Sequence, residues 1–440
     1  MTSPRSRTGT TCVLWVSFLC SFGFSKIAAA EKVLAKEGDW TVYTDGRAGA
    51  FVSGYYGDAL PRNTVDAMGN LLHDIQGGGL DGPAVRQPVV GGPVGALTQG
   101  TLEGMRIRSG FIDNTLGIGV REALNDTTMV TAYVQFWAYI ESENQIKNNV
   151  NPVDVRQGYL RVEGRFGSLL VGRARSLFSR GNLDIDILYG HRWALGFPGN
   201  VNSYGPTSGM IGFGVLGSGF AGGVVYGTPV LGGLQLTVGA YDPIELQGAW
   251  PRTKWVRPEA ELTFERPLGS LGKFVLFGNA VYQKLYKLDI DQSTAAQGVG
   301  YGGRLELGKL RLGFAGFYGE ALGLNYALEN SGASLDALSN PRKLDGYYLQ
   351  SQLVFTKWDI GAGWGMTRVF LNDVDNLPDP NTGQIPHSIL KYQMGISGVF
   401  VYHVRPWLHV DVDVFRAEDV WFLGEKQVVY IANSGMTFNW

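Results

Sequence analysis

Residues 301–318, YGGRLELGKLRLGFAGFY, alternate apolar and charged side chains along two short runs that flank Gly308-Lys309. The apolar set is Leu305, Leu307, Leu310, Leu312 and Phe314, and the charged set is Arg304, Glu306, Lys309 and Arg311. A period of two is typical of β-strands, because successive side chains point to opposite faces. The Gly-Lys pair is short enough for a tight hairpin. The segment therefore predicts an antiparallel ribbon with one apolar face and one charged face.

The same alternation recurs to the end of the sequence. It is clear in 129–140, in 407–415 and in the last residues, GMTFNW. Short turns, such as those near 164–167 and 404–406, alternate with long polar connections. Counting the runs between connections predicts about 16 strands, the first beginning near Trp40 and the last ending at Trp440.

The first thirty residues predict a secretory signal peptide. A basic start with Arg5 and Arg7 is followed by an apolar run over 12–24 and then by Ala28-Ala29-Ala30. This order is typical of a leader that is cleaved after its small residues, which leaves 31–440 as the mature domain. Both cysteines of the chain lie within the leader. We therefore expect an exported protein whose stability does not depend on disulfides.

Composition favours a membrane barrel over a soluble sheet protein. Glycine is abundant at 63 residues, and the formal net charge of −2 gives no basic surplus that would indicate a nucleic-acid partner. Beyond the leader, no apolar run reaches the length of a spanning helix. Aromatic residues cluster at the ends of runs, as in 137–139 and 347–348, where rings favour the membrane boundary. The predicted fold class is all-β: a closed transmembrane antiparallel barrel, because unpaired strand edges do not survive in hydrocarbon.

One stretch carries a family resemblance. VRQGYLRVEGRFGSLLVGRARSLFSRGNLDIDILYGH (155–191), with YTDGRAGAF (43–51) and residues 118–141, resembles the general porins of Gram-negative bacteria. The resemblance implies short periplasmic turns, long extracellular loops, a homotrimer and an outer-membrane location. It also implies contact with outer-membrane lipid and lipopolysaccharide. Phe438 and Trp440 resemble the signal read by the barrel-assembly machinery, although Phe is usual at the last position.

The resemblance also implies a pore constriction. In that family the loop after the fifth strand folds into the barrel, which here corresponds to 174–205. Its carboxylates, Asp184 and Asp186, would then face basic residues of the wall. The matching wall positions are Arg47, Arg121, Arg156 and Arg173, and further lumen charges are expected at Arg106, Arg108, Arg304, Glu306, Arg311, Asp411 and Asp413. The sixth strand, 211–226, has no charge and departs from the family here.

The alternation is irregular over 155–163, where Gln157 and Tyr159 share a parity with Arg161. Two alternatives remain open. The polar outer face could meet another subunit, or the register could shift by one residue, which would turn every side chain to the opposite face.

The predicted function is a water-filled channel for passive diffusion of ions and small hydrophilic solutes, with charged side chains setting selectivity. A channel specific for sugars or apolar substrates is the alternative. An enzyme is not expected, since Asp411 and Asp413 point the same way along one strand and cannot flank a bond. His403 and His409 have no third ligand nearby in the sequence, so neither a metal nor a cofactor is predicted.

Overall fold

The computed structural model describes residues 31–440 except 59–100, 111–113, 139, 141–152, 188–208, 245–252, 287–291, 325, 329–333, 337–339, 378–389, 423 and 425. The predicted signal peptide therefore lies outside the described residues. The strands are β1 Lys32–Glu37, β2 Trp40–Asp58, β3 Thr101–Arg108, β4 Asn114–Asn125, β5 Thr128–Ala138, β6 Val153–Gly164, β7 Gly167–Arg175, β8 Phe220–Gly227, β9 Leu234–Tyr241, β10 Arg257–Pro267, β11 Gly272–Tyr286, β12 Ser293–Leu307, β13 Leu310–Glu320, β14 Lys343–Val354, β15 Trp358–Phe370, β16 Leu390–Arg405, β17 Leu408–Trp421 and β18 Lys426–Asn439. One α-helix, α1, covers Arg180–Ile185, and 3₁₀ turns cover Gly269–Leu271 and Asp373–Asn376.

Strand β2 closes the sheet into a ring. One of its edges pairs with β18, from Arg47 opposite Asn439 to Gly57 opposite Val429. Its other edge pairs first with β4 and then with β3, which act as one interrupted strand. With that pair counted once and the short β1 left out, the ring of the described residues holds sixteen antiparallel strands. The predicted fold class is confirmed.

Strand β1 was not predicted. It pairs antiparallel with the beginning of β2, with Glu37 opposite Trp40 and Lys32 opposite Thr44. It thus occupies the part of the β2 edge that β18 does not reach. Its six residues are exposed on both faces, so the apolar alternation that reveals the other strands is absent from β1.

The two faces of the ring follow the sequence alternation. In the hairpin of β12 and β13, Leu312 and Phe314 point outward and are 41% and 44% exposed. Arg304, Glu306 and Arg311 point inward, and the Arg304 side chain is only 11% exposed. The outer face of this hairpin is therefore apolar and its inner face carries the charges, which suits a barrel surrounded by lipid.

The two-residue connections between described strands lie at one end of the barrel, here called the short-turn end. They include 126–127, 165–166, 308–309 and 406–407, at the predicted positions. The other end, the long-loop end, carries the connections after β5, β7, β13 and β15. Among the described residues, no helix is both long and apolar enough to span a membrane.

The alternation of inward and outward side chains along β6 is shifted by one residue at Arg156. Gln135 lies opposite Gln157, but the next residue, Phe136, lies opposite Val155, which leaves Arg156 as the extra residue of a β-bulge. Beyond the bulge Gln157 points inward, where it donates a hydrogen bond to the Gln135 side chain at 2.9 Å. The register alternative is therefore correct, and the polar residues of 157–161 line the lumen rather than the outer face.

Candidate pore constriction

The connection after β7 folds into the barrel. Its described parts, 176–187 and 209–219, are mostly buried, and α1 lies against the inner faces of β11, β12 and β13. The Asn182 amide donates to the Gly316 carbonyl at 3.0 Å, and the Tyr348 hydroxyl donates to the Asn182 carbonyl at 2.9 Å. The inserted segment is thus fixed to the wall by its own backbone and side chains.

Two buried carboxylates of β10 anchor the start of the inserted segment. Glu261 pairs with Arg180 and accepts a hydrogen bond from the Gly181 amide at 3.0 Å. Glu259 accepts one from the Phe178 amide at 2.7 Å and pairs with Arg257 at 2.7 Å. Buried charges are tolerated only when paired and hydrogen-bonded, so these contacts specify where the segment docks. Neither glutamate was predicted.

Asp184 lies in α1 and pairs with Arg175, at the end of β7. Its backbone carbonyl accepts a hydrogen bond from the Arg304 guanidinium at 2.8 Å. Burial raises the pKa of the Asp184 carboxyl, and Arg175 acts in the opposite direction. The partner of Asp184 is thus Arg175, the last residue of β7, and not one of the four predicted wall arginines.

Asp186 has an anchoring position. It is 1% exposed, accepts a hydrogen bond from the Gln350 amide group at 2.6 Å and another from the Met210 backbone amide at 2.9 Å. The first bond joins the segment to β14, and the second joins its two described halves. These contacts favour a structural role over a charge presented to the lumen.

The second half of the segment packs into an apolar cluster inside the barrel. Phe213 lies edge-on to Phe415 with ring centroids 4.9 Å apart, and the Gly214 amide donates to the Thr367 hydroxyl at 3.0 Å. A side chain at Gly365 would meet the Phe213 carbonyl oxygen at 2.1 Å. Part of the high glycine content therefore reflects a wall against which another backbone lies in direct contact.

The connection after β13 also folds inward and meets the first. Gly217 and Tyr326 form a parallel bridge, and the Ala327 amide donates to the Gly217 carbonyl at 3.3 Å. At the far end of this second connection, Arg342 donates two hydrogen bonds to the Asp375 carboxylate, of 2.7 and 2.8 Å. Together the two connections cover the wall formed by β10–β16. The sequence did not reveal this second insertion.

The four predicted wall arginines do not form one ladder. Arg47 is buried on the inner face of β2, with its guanidinium carbon 5.9 Å from the Phe51 ring centroid. Arg121 is inward at the short-turn end, where it pairs with Glu31 at 2.7 Å. Arg156 pairs with Asp154 on its own strand at 3.0 Å.

Arg173 is placed wrongly by the family resemblance. It is exposed and shares the outer face of β7 with Leu169 and Val171. Its strand neighbours are Gly158 and Gly222, and a side chain at either glycine would meet nothing within 4 Å. The family resemblance was followed residue by residue across the bulge of β6. Side-chain direction reverses at that bulge, which explains the error.

The remaining predicted lumen charges are placed as follows. Arg106 and Arg108 pair by backbone with Ser53 and Phe51, and their side chains lie outside the described part. Asp411 and Asp413 are buried on the inner face of β17.

Charges on the water-exposed part of the lumen are compensated locally. Opposite charges stand two residues apart on the same face of one strand. These pairs are Asp154–Arg156, Arg161–Glu163 and Arg304–Glu306. This arrangement differs from the predicted transverse field, in which acids and bases face each other across the pore. It favours a weakly charged lumen.

The end of the chain lies at the seam of the ring. Trp440 and Gly46 exchange two backbone hydrogen bonds, of 2.9 and 3.0 Å. Phe438 points outward, with its ring centroid 5.9 Å from that of Trp440 and 5.3 Å from that of Trp407. Their role as an assembly signal stays a prediction.

Solved bacterial channel structures share this architecture. The outer membrane channel DcaP of Acinetobacter baumannii aligns with a TM-score of 0.62 at 12% identity, over 93% of this chain and 100% of that one. The chain has the fold of outer-membrane porins. An anion-selective porin from Comamonas acidovorans aligns with a TM-score of 0.55 at 12% identity, over 91% and 100% of the chains. No protein-family model and no curated protein sequence matches this chain.

Within this porin fold, one further lumen feature was missed. Tyr133 lies between Tyr43 and Tyr159 on the inner wall, with their ring centroids 6.4 and 5.4 Å away. The Tyr133 hydroxyl donates to Asp45 at 2.9 Å. Tyr43 and Asp45 could have been found from their parity with Arg47, since all three alternate along β2.

Proposed function

We propose that this protein is a channel of the bacterial outer membrane through which ions and small hydrophilic solutes diffuse passively. The observation that carries the proposal is the asymmetry of the lumen. Two inserted connections cover one wall, whereas β6 and the short-turn half of β10–β12 keep partly exposed ion pairs. A barrel of about 16 strands is wide enough to hold water in the uncovered part.

Local compensation of charge refines this function. Arg156, Arg161 and Arg304 each have a carboxylate beside them, so this part of the lumen has little net field to repel either ion. We therefore propose weak ion selectivity, with size and polarity as the main filter. Charged groups a few ångströms from a passing ion would otherwise dominate its passage.

The orientation follows from the connections. We propose that the short-turn end faces the periplasm and the long-loop end faces the medium, as is usual for such barrels. Export by the predicted leader, insertion by the barrel-assembly machinery and contact with lipopolysaccharide belong to the same proposal.

We also propose assembly into a homotrimer, and Arg173 supports it. A cation at the lipid-facing surface of a barrel costs about 2–4 kcal/mol near the membrane midplane. Arg173 stands on that surface between two glycines that leave room beside it. Another copy of this chain, bringing polar or acidic groups, would remove this cost.

The test is planar-bilayer conductance of the refolded chain 31–440. We expect discrete, ohmic current steps and, in a salt gradient, a reversal potential close to zero. Current steps in groups of three would support the trimer. A folded barrel without current steps would contradict the channel, and a strong preference for one ion would contradict only the weak selectivity.

A further inference from the structure

Three titratable side chains meet on the inner faces of neighbouring strands at the short-turn end. His403 of β16 lies opposite His409 of β17, and their Nδ1 atoms are 2.7 Å apart. The His403 Nε2 atom lies 3.2 Å from a carboxylate oxygen of Asp359, on β15. The His409 Nε2 atom lies 3.1 Å from the Pro406 carbonyl oxygen.

The hydrogen-bond roles in this row follow from its two ends. A carbonyl oxygen only accepts, so His409 carries its proton on Nε2 and, when neutral, its Nδ1 accepts. The proton between the two rings therefore belongs to the His403 Nδ1 atom. An ionised carboxylate also only accepts, so the His403 Nε2 atom must carry a proton too.

We infer that Asp359, His403 and His409 form a proton-dependent latch at the short-turn mouth of the barrel. In its closed state His403 is an imidazolium that donates to Asp359 and to His409. In this state the three side chains together carry one more proton than they would with Asp359 ionised and both histidines neutral. The ring nitrogen of a histidine is the ordinary carrier of such a proton between about pH 5 and 8.

The latch connects two turns. The His403 backbone amide donates to the Lys357 carbonyl at 2.8 Å, which places His403 beside the turn between β14 and β15. His409 holds Pro406 in the turn between β16 and β17, and the next residue, Trp407, accepts a backbone hydrogen bond from Asn439 at 2.9 Å. Opening the latch would therefore loosen the rim of β15–β18.

Both directions of pH change open the latch. On acidification a second proton at the His409 Nδ1 atom would place two imidazolium groups 2.7 Å apart, and like charges at that distance repel strongly. At alkaline pH His403 loses one of its two protons, and one of its two hydrogen bonds is lost. The closed state is thus confined to an intermediate pH range.

The charged groups around the latch act in both directions. Asp411 lies two residues beyond His409 on the inner face of β17, and its carboxylate favours protonated rings. Arg405 lies beside the β16 bulge, Lys357 lies in the neighbouring turn, and Arg47 projects from β2 beyond β18. These three cations oppose a second proton.

The test uses protein labelled with ¹⁵N in its histidine rings, refolded in detergent and titrated by NMR. We expect one histidine with both ring nitrogens protonated while a second holds a single proton on Nε2. Because the two rings interact, they should titrate in two separate steps. Asp359→Asn should abolish the doubly protonated ring in the intermediate range, whereas an unlatched barrel would show independent, single-step histidines.

Amide hydrogen exchange supplies the second readout. Exchange at 405–408 should be slowest at intermediate pH, after correction for intrinsic rates, and should rise on both sides. The H403Q/H409Q double variant should exchange faster and lose this pH profile while the other strands keep theirs. An unchanged profile in that variant, or ring spectra altered by EDTA, would overturn the latch. Neither measurement needs ion conduction, so failure of the channel proposal would be separately visible.

Discussion

The covered and the open walls of the lumen use the same chemistry for different ends. On the covered wall Arg257 and Glu259 are each 1% exposed, and they hold the inserted connection in place. On the open wall Arg156 and Asp154 are 26% and 40% exposed and remain in contact with water. Burial thus decides whether an Arg–carboxylate pair acts as an anchor or as part of a conducting surface.

The largest effect is expected from the anchor of α1. Glu261→Gln leaves Arg180 buried without its carboxylate, and breaking a buried pair in this way costs about 3–5 kcal/mol. Urea unfolding in lipid vesicles measures the loss. The matched control is Glu265→Gln on the same strand, whose side chain is 60% exposed beside Lys273 and should change stability by less than about 1 kcal/mol. Equal losses of stability in the two variants would contradict the different roles of ion pairs on the covered and the open wall.

The next largest effect is expected at Gly365, where the absence of a side chain lets the inserted connection lie against the wall. Gly365→Val would push a side chain into the Phe213 carbonyl, and overpacking of this kind costs about 1–3 kcal/mol. We expect the inserted connection to leave the wall, with larger and noisier single-channel current steps. Gly222→Val is the control, since a side chain there meets nothing within 4 Å. Identical conductance in both variants would show that the connection does not narrow the pore.

A smaller effect tests charge compensation on the open wall. Arg156→Gln should leave Asp154 uncompensated and shift permeability toward cations, while Asp154→Asn should shift it toward anions. In water, a unit charge on the wall interacts with a passing ion about 4 Å away by about 1 kcal/mol. This energy corresponds to roughly a fivefold change in permeability ratio. Reversal potentials measure this ratio. The double variant should return to the original value, and failure to do so would contradict local pairing.

The family-based constriction has its own test. Asp184→Asn should free the Arg175 charge and favour anions, whereas Asp186→Asn should weaken docking with little change in selectivity. Reversal potential and unfolding, measured on both variants, separate the two roles. Equal selectivity shifts in the two variants would indicate that both carboxylates face the lumen, as the family resemblance implies.

The smallest effect on the lumen is expected from Arg173→Leu, because Arg173 belongs to neither wall. Current per pore should not change, but cross-linking in detergent should show fewer trimers. The Val171→Leu variant of the same outer face is the control. Intact trimers in the Arg173 variant would contradict an interface at this site.

Alternation was enough to predict the strands, their turns and the inward position of Arg304, Glu306, Asp411 and Asp413, whereas the closed membrane barrel was predicted with the help of the leader, the loop lengths and the aromatic positions. It works because side-chain direction is a local property of a strand. It failed at β6, where the bulge at Arg156 reverses the parity, and at β1, which has no buried face. The positions of Asp184 and Asp186 depend on contacts with strands far along the chain, such as β14, and no local pattern encodes them.

The seam between β2 and β18 has a consequence for how the chain reaches its native state. These partners are separated by almost the whole domain, so their pairing requires the closure of a very long loop. Folding rates fall as contacts become more distant in sequence. Until β18 is in place, both edges of the curved sheet are open and can pair with another chain. The last strand therefore controls the interval during which this barrel is vulnerable to aggregation.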